Sequence, residues 1–408
     1  MRRRCLPLLV LLCLLAPTPA LAEPLPAQPA GRYLVILDPT TGPPAAQALT
    51  HAFLLGIAPD QVFQSALDGY SASVPAGALA ALLALPGVRS VVPDLPVEAF
   101  GQQMPTGVAR VEGISATGGP DDDRAKVNAD VAVLDSGIDR DHPDLDVVGG
   151  VDCTHGAGGH AGYDDPNGHG THVAGIAAAA DDGQGVVGVA PGARLWAVRV
   201  LDDQGHGALS SVLCGIDWVT AHADVIDVAN LSLGTPGRRP AGTGCASGDV
   251  FHDAICRSVA AGVTYTVAAG NQATDAGQVV PAAYDEVLTV SALADFDGRP
   301  GGQAESGCQN DQDDSLADFS NHGAAVDLIA PGTCIVSTWP GGGLAMASGT
   351  SMAAPHVAGA AARVKASHPA YRPAQVRSAL LAAGGGDWDA ADDPDRRAEP
   401  LLHVPARR

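Results

Sequence analysis

The sequence predicts a three-layer α/β fold, a mostly parallel sheet held between helices, preceded by a small α+β ferredoxin-like domain. Three observations predict it. From Val127 onward, apolar strand-length runs alternate with helical runs, the pattern of a parallel sheet covered on both faces. Residues 31–92 read as β-α-β-β-α-β. A length of 408 residues, 46% hydrophobic and 17% charged, fits two or three globular domains rather than a disordered chain.

The elements follow in order. Arg2, Arg3 and Arg4 precede an apolar run, Leu6 to Ala16, then Pro17, Pro19 and Ala20-Leu21-Ala22. Charged, apolar and small residues in that order make residues 1–22 a secretory signal, cut after Ala22. The apolar run is short for a membrane span of about 20 residues, so a secreted, extracellular protein is expected. Residues 23–30 are a Pro/Ala-rich linker. GRYLVIL alternates as a strand, and residues 45–54 form a short helix. Residues 62–67 and 70–74 flank Asp68-Gly69, a two-residue hairpin signal. PAGALAALLALPG has proline at a helix start and glycine past its end, and residues 88–92 close the unit as a strand. This unit holds no cysteine and no cluster of catalytic residue types, so its role is structural, inhibitory or chaperoning. Between Asp94 and Val111 the periodicity lapses.

The larger part begins with VNADVAVLD, residues 127–135, a buried-type strand ending in an aspartate. Residues 194–201, 225–233, 263–270 and 286–293 are further strands, with helical runs from His169 and from Leu209 among the connections. Active sites of such sheets lie at the carboxyl ends of the strands.

Charge and cysteines narrow the function. The net charge is −22 and the only lysines are Lys126 and Lys365, which disfavours nucleic acid and anionic membranes as partners. Of eight cysteines, Cys5 and Cys13 lie in the signal. The remaining six (Cys153, Cys214, Cys245, Cys256, Cys308 and Cys334) imply three disulfides in an exported chain.

Four junctions carry candidate chemistry. Asp135 in VAVLDSGID is a metal ligand, a capping group, or the partner that orients a histidine. In NGHGTHVAG, glycine-flanked His169 is the better general base, since a base must be accessible. His172 reads as a packed histidine, but with His169, Asp164 and Asp165 it also composes a metal-ligand set. Asn271, ending AAGN, makes a turn or donates to an oxyanion. Ser351 in SGTSMAAPHVAG is a helix cap or a nucleophile at a helix N-terminus. A serine nucleophile needs a base, the base needs a carboxylate, and the tetrahedral intermediate needs N–H donors. These residue types supply every part.

VAVLDSGID, NGHGTHVAG, AAGN and GTSMAAPHVAG, in this order, closely resemble the signature regions of the subtilisin-like serine proteases. These are the subtilases of peptidase family S8, with the secreted bacterial, proteinase K-like type nearest in character. The resemblance runs over about residues 105–404. It implies a subtilisin-like fold and a serine endopeptidase acting through an acyl-enzyme, with Ser351 as nucleophile, His169 as base and then acid, and Asp135 orienting His169. Asn271 and the Ser351 N–H would form the oxyanion hole, supported by Thr350 and Met352. NLSLG resembles the substrate-binding strand, which makes Leu231, Ser232, Leu233 and Gly234, with Ala268, Ala269 and Gly270, substrate-binding residues. Asn230-Leu231-Ser232 also fits a glycosylation pattern, taken as a chance match in a buried strand.

Residues 23–100, folded over about 31–94, resemble the family's inhibitor-type propeptide. That resemblance implies an intramolecular chaperone and inhibitor, removed by self-cleavage between Asp94 and Gln103 with Phe100-Gly101 as the guess, and a catalytic domain over 101–408. It also implies the pairs Cys153–Cys214, Cys245–Cys256 and Cys308–Cys334. FSNHGAAVDL resembles a calcium-bearing stretch, so Asp327, with Asp285 and Val287, is expected to hold a structural calcium. No cofactor is expected for catalysis, protein or peptide substrates are the expected partners, and the enzyme is expected to be monomeric. Two rival readings are a metal-dependent hydrolase on Asp164, Asp165, His169 and His172, and a non-catalytic binding protein on the same fold.

Overall fold

The computed structural model describes residues 31–75, 77–99, 107–111, 126–155, 162–182, 185–239, 244–302, 304–391 and 393–404. The expected signal with its cut after Ala22, the linker 23–30 and the Phe100-Gly101 position lie outside the described residues. The N-terminal unit comprises β1 (Gly31–Leu37), α1 (Pro44–Leu55), β2 (Ala58–Phe63), β3 (Gly69–Val74), α2 (Leu79–Leu83) and β4 (Val88–Pro93). Its antiparallel sheet has the order β2-β3-β1-β4. Helix α1 opens with proline and closes at Gly56, left-handed at φ 64°.

The period-2 alternation of β1 serves two cores. Tyr33, Val35 and Leu37 pack with Ala48, Tyr70 and Leu82 of the unit itself. Leu34 and Ile36, on the other face, join the main hydrophobic core with Phe63. The sheet is therefore buried on both faces, between its own helices and the rest of the protein. The Asp68-Gly69 hairpin is corrected: Gly69 already belongs to β3, and the connection is the longer segment 64–68. A distant carboxylate decides this turn. Asp217 accepts the backbone N–H groups of Gln64 (3.4 Å), Ser65 and Ala66 (2.5 Å).

The segment after Asp94, where periodicity lapses, also contains a strand, β5 (Pro96–Ala99). The main sheet follows, with β6 (Asp130–Asp135), β7 (Val147–Asp152), β8 (Arg194–Arg199), β10 (Val228–Leu231), β12 (Thr264–Ala268), β14 (Leu288–Ala294), β15 (Ser315–Leu316) and β16 (Leu328–Pro331). Its order is β15-β14-β12-β10-β6-β8-β7, with β16 also on β14. Every pairing except that of β15 is parallel. The continuous burial of β6, β10, β12 and β14 is what a sheet covered on both faces requires.

A smaller sheet has the order β13-β11-β5-β9, where β9 is His206–Ala208, β11 is Leu233–Pro236 and β13 is Val279–Val280. A hairpin joins β17 (Ile335–Trp339) to β18 (Gly343–Ala347). The helices are α3 (His169–Ala178), α4 (Leu209–Ala221), α5 (Val250–Ala261), α6 (Thr350–Ser367) and α7 (Pro373–Ala383). Helices α3 and α6 pack on one another, and α6 crosses β10, β12, β14 and β16. Helices α4 and α5 form a second pair, with α4 against β6 and against β2 of the N-terminal unit. The disulfides join Cys153 to Cys214, Cys245 to Cys256 and Cys308 to Cys334.

Candidate active site

Strand order places the candidate residues side by side. β6, β10 and β12 are parallel neighbours, and in their register Val133 faces Asn230, which faces Thr266. Asp135 ends β6, Ser232 follows β10, and Asn271 follows β12 by three residues. All three therefore emerge at the same carboxyl edge.

Asp135 is fully buried, and its Oδ1 accepts from the Ser136 N–H (2.7 Å) and from His169 Nδ1 (2.8 Å). Donation from Nδ1–H fixes the tautomer that leaves Nε2 as the basic nitrogen. Two glycines make the approach possible. Gly168 takes a left-handed φ of 103°, and a Cβ there would lie 2.4 Å from the Trp339 ring. A Cβ on Gly170 would meet Gly137 O at 2.1 Å and Asp135 Cβ at 3.1 Å, so only glycine lets the start of α3 sit against the end of β6.

Asp165 anchors the same corner. Its Oδ1 accepts from Ser136 Oγ (2.8 Å), Asn167 N (3.1 Å) and Gly168 N (2.8 Å), and its Oδ2 from Thr171 N (2.8 Å) and Thr171 Oγ1 (2.6 Å). Five donors occupy both oxygens, which suits a helix-start clamp and not a metal ligand. Asp164 is exposed. His172 is wholly buried edge-on to Trp339, and burial, with His169 adding to it, pushes its imidazolium down to about 3. The metal-hydrolase set therefore does not assemble.

Ser351 is the second residue of α6 and is buried. Pro355, the sixth residue of α6, has no N–H to give the carbonyl four residues back, which is that of Ser351. Ser232 Oγ fills the gap, donating to Ser351 O at 2.8 Å. Asn230 Nδ2 donates to Ser232 Oγ (3.0 Å), and Thr266 Oγ1 donates to Asn230 Oδ1 (2.9 Å). A buried polar chain thus runs from β12 through β10 to the backbone of Ser351, and Ser351 Oγ donates to Ser232 O at 3.3 Å. Asn230 is fully buried, which rules out glycosylation there. The sequence motifs give Thr266 no role, and Asn230 none beyond its place in NLSLG. Their signal is polarity inside otherwise apolar buried strands.

Asn271 is held by Thr350. Its Oδ1 accepts from Thr350 N (2.8 Å) and Oγ1 (2.9 Å), while Thr350 Oγ1 accepts from Gly270 N (3.0 Å). The other end of the amide, Nδ2, is buried with no hydrogen-bond partner among the described residues. Leaving such a donor unmet costs about 1–3 kcal/mol, the arrangement expected where a ligand brings the acceptor. Asn321, also unassigned from sequence, shapes this loop. It donates to Ala269 O (2.8 Å) and accepts from Gln272 N and Thr274 N, both at 3.0 Å. Thr350, Met352, Leu231, Leu233, Gly234, Ala268, Ala269 and Gly270 are all buried around the same edge.

Next to this edge lies the chain's own strand. β5 pairs antiparallel with β11, Ala99 opposite Leu233 and Glu98 opposite Gly234, and with β9 on its other side. The site can accept extended peptide by backbone pairing.

The groups expected to hold calcium do converge, but on a different cation. Arg377 of α7 donates to Asp285 O (2.8 Å) and Val287 O (2.6 Å) and pairs with the Asp327 carboxylate. The expectation of calcium on Asp327, Asp285 and Val287 is corrected: a guanidinium of the protein stands among all three, so the residues present do not fit a metal ion.

Residues 127–396 match the model of the subtilase family. An alkaline protease of Shouchella clausii is 38% identical over 303 residues, covering 72% of this chain and 68% of that relative. Subtilisin E of Bacillus subtilis (strain 168) is 37% identical over 298 residues, covering 72% and 70%. The crystal structure of a cold adapted subtilisin-like serine proteinase aligns with a TM-score of 0.56 at 32% identity, covering 68% of this chain and 89% of that one.

Proposed function

Since this chain belongs to the subtilase family of serine endopeptidases, we propose that it is an exported, self-processing precursor whose Ser351 attacks the peptide carbonyl. His169 takes the hydroxyl proton at Nε2 and returns it to the leaving amine. Asp135 holds the imidazole tautomer and stabilises the imidazolium. The carbonyl oxygen, charged in the tetrahedral intermediate, takes hydrogen bonds from Asn271 Nδ2 and from the Ser351 N–H, one of the first N–H groups of α6. Water then hydrolyses the acyl-enzyme through the same base. The observation that carries this reading is the Asn271 amide. Its oxygen is bound twice by Thr350 at the head of α6, and its buried N–H₂ end has no partner of its own.

The N-terminal unit acts as inhibitor and folding aid. β5 takes the place of an extended substrate between β9 and β11. The unit also supplies what α4 lacks at its start, where Asp94 accepts from Ser210 N (2.7 Å) and Ser210 Oγ (2.5 Å). An acidic group on these N–H groups favours the helix end. Cleavage falls within residues 94–103, with Phe100-Gly101, just past the end of β5, as the expected position. Export is supported by the charged, apolar and small-residue order of residues 1–22 and by three disulfides, which persist in oxidising compartments. Among the described residues no helix is long and apolar enough to cross a membrane.

Asn271→Ala tests the assignment. Turnover of a peptide substrate should fall about 10²–10³-fold with KM little changed, the size of loss seen in subtilisin itself when one oxyanion donor is removed. Steady-state kinetics separates the two constants, and an unchanged kcat removes Asn271 from the mechanism.

A further inference from the structure

Past α7 the chain returns to the main sheet. Leu401 bridges Ile329 of β16 and Gly385, and Trp388 shares a small core with Leu293, Leu316, Ile329 and Leu401. Between these anchors run Asp393, Asp395 and Glu399. One carboxylate oxygen from each lies within 4.8 Å of the others. Asp393 and Glu399 are only 2% and 3% exposed, while Asp395 faces solvent. Asp393 Oδ2 and Glu399 Oε1 are buried and have no hydrogen-bond partner among the described residues. The remaining polar groups are spent on the loop: Asp393 Oδ1 accepts from Asp395 N (3.2 Å), and Asp395 Oδ1 from Arg397 N (2.9 Å). Trp388 Nε1 fixes Glu399 O at 2.9 Å. No ion pair among the described residues reaches these carboxylates.

We infer that Asp393, Asp395 and Glu399 form a calcium site that clamps the C-terminal tail to the main sheet. Three carboxylates, two of them out of water, cannot all stay charged without a cation. The donors are all hard oxygens, which select calcium, magnesium or manganese over softer metals. Calcium–oxygen distances of about 2.3–2.6 Å put opposite ligands roughly 4.6–5.2 Å apart, whereas magnesium, at about 2.1 Å, spans only about 4.2 Å. The three oxygens, all within 4.8 Å of one another, fit inside the span that calcium allows. Exposed Asp395 gives the entry side, where water completes the shell. This site is separate from the Asp327–Arg377 pair.

The test uses the full chain carrying Ser351→Ala, which prevents self-digestion, stripped with a chelator and titrated with terbium at pH 7.5. Tryptophan-sensitised terbium emission is expected, because the Trp388 indole touches Glu399, and calcium should displace it. Glu399→Gln and the exposed Asp395→Asn should each weaken terbium and calcium binding roughly tenfold or more, since loss of even an outer-shell partner costs about 10–100-fold. Calcium should raise the melting midpoint of the parent, and at the same concentration shift both variants less. Should Glu399→Gln fail to fold, Asp395→Asn, at an exposed position, reads the same quantities. Equal terbium emission and an equal calcium shift in the variants overturn the site. So does a parent that binds no terbium and whose melting ignores calcium.

Discussion

Ser351→Ala is expected to give a folded chain that never cuts itself, with residues 31–94 still joined to the rest. Peptide hydrolysis should fall by about 10⁶, the loss subtilisin shows on removal of its nucleophile or base. Only Oγ is lost, and with it a long 3.3 Å hydrogen bond to Ser232 O. The Ser351 carbonyl keeps its bond from Ser232 Oγ, and Thr350 keeps its hold on Asn271. The helix start and the oxyanion donors therefore survive. Intact mass and an unchanged circular dichroism spectrum check the result. Trimming at the parent's own position within 94–103 contradicts it.

Asp135→Asn should lower kcat about 10⁴-fold at neutral pH, as the same change does in a serine protease of unrelated fold. Asparagine matches the shape of the carboxylate, so the fold should hold. The charge is what disappears. Asp135 and His169 are 0% and 2% exposed. An imidazolium formed there without an anion 2.8 Å away is poorly screened by water. The amide can also turn its N–H₂ toward His169 and force the other tautomer, which puts a proton on the nitrogen that should act as base. Hydrolysis of a chromogenic peptide checks this. A loss under tenfold means His169 works without Asp135.

The sequence exposed what local pattern encodes and missed what distant groups decide. Asp135 was legible because a buried apolar run stops at a turn, and His169 because glycines frame it at a helix start. Ser351 was ambiguous alone, since a cap and a nucleophile look the same at a helix N-terminus. β5 was invisible: Pro96-Val97-Glu98-Ala99 has no hydrophobic period and pairs only because β9 and β11 flank it. The Asp68-Gly69 turn yielded to Asp217, about 150 residues away in the chain. Asp327 looked like a calcium ligand because nothing local announces Arg377, which lies 50 residues on and reads as an ordinary helix residue. The polar chain Thr266–Asn230–Ser232 makes sense only once Pro355 leaves the Ser351 carbonyl without a donor.

The central claim is that the Ser351 hydroxyl is a nucleophile activated by His169. Reaction of the purified enzyme with a fluorophosphonate, followed by mass spectrometry of its peptides, tests this most directly. One phosphonyl adduct on Ser351, absent when His169 is changed to alanine, is the expected result. An enzyme that cleaves peptides while Ser351 stays unlabelled, or labelling that persists at full rate without His169, contradicts it.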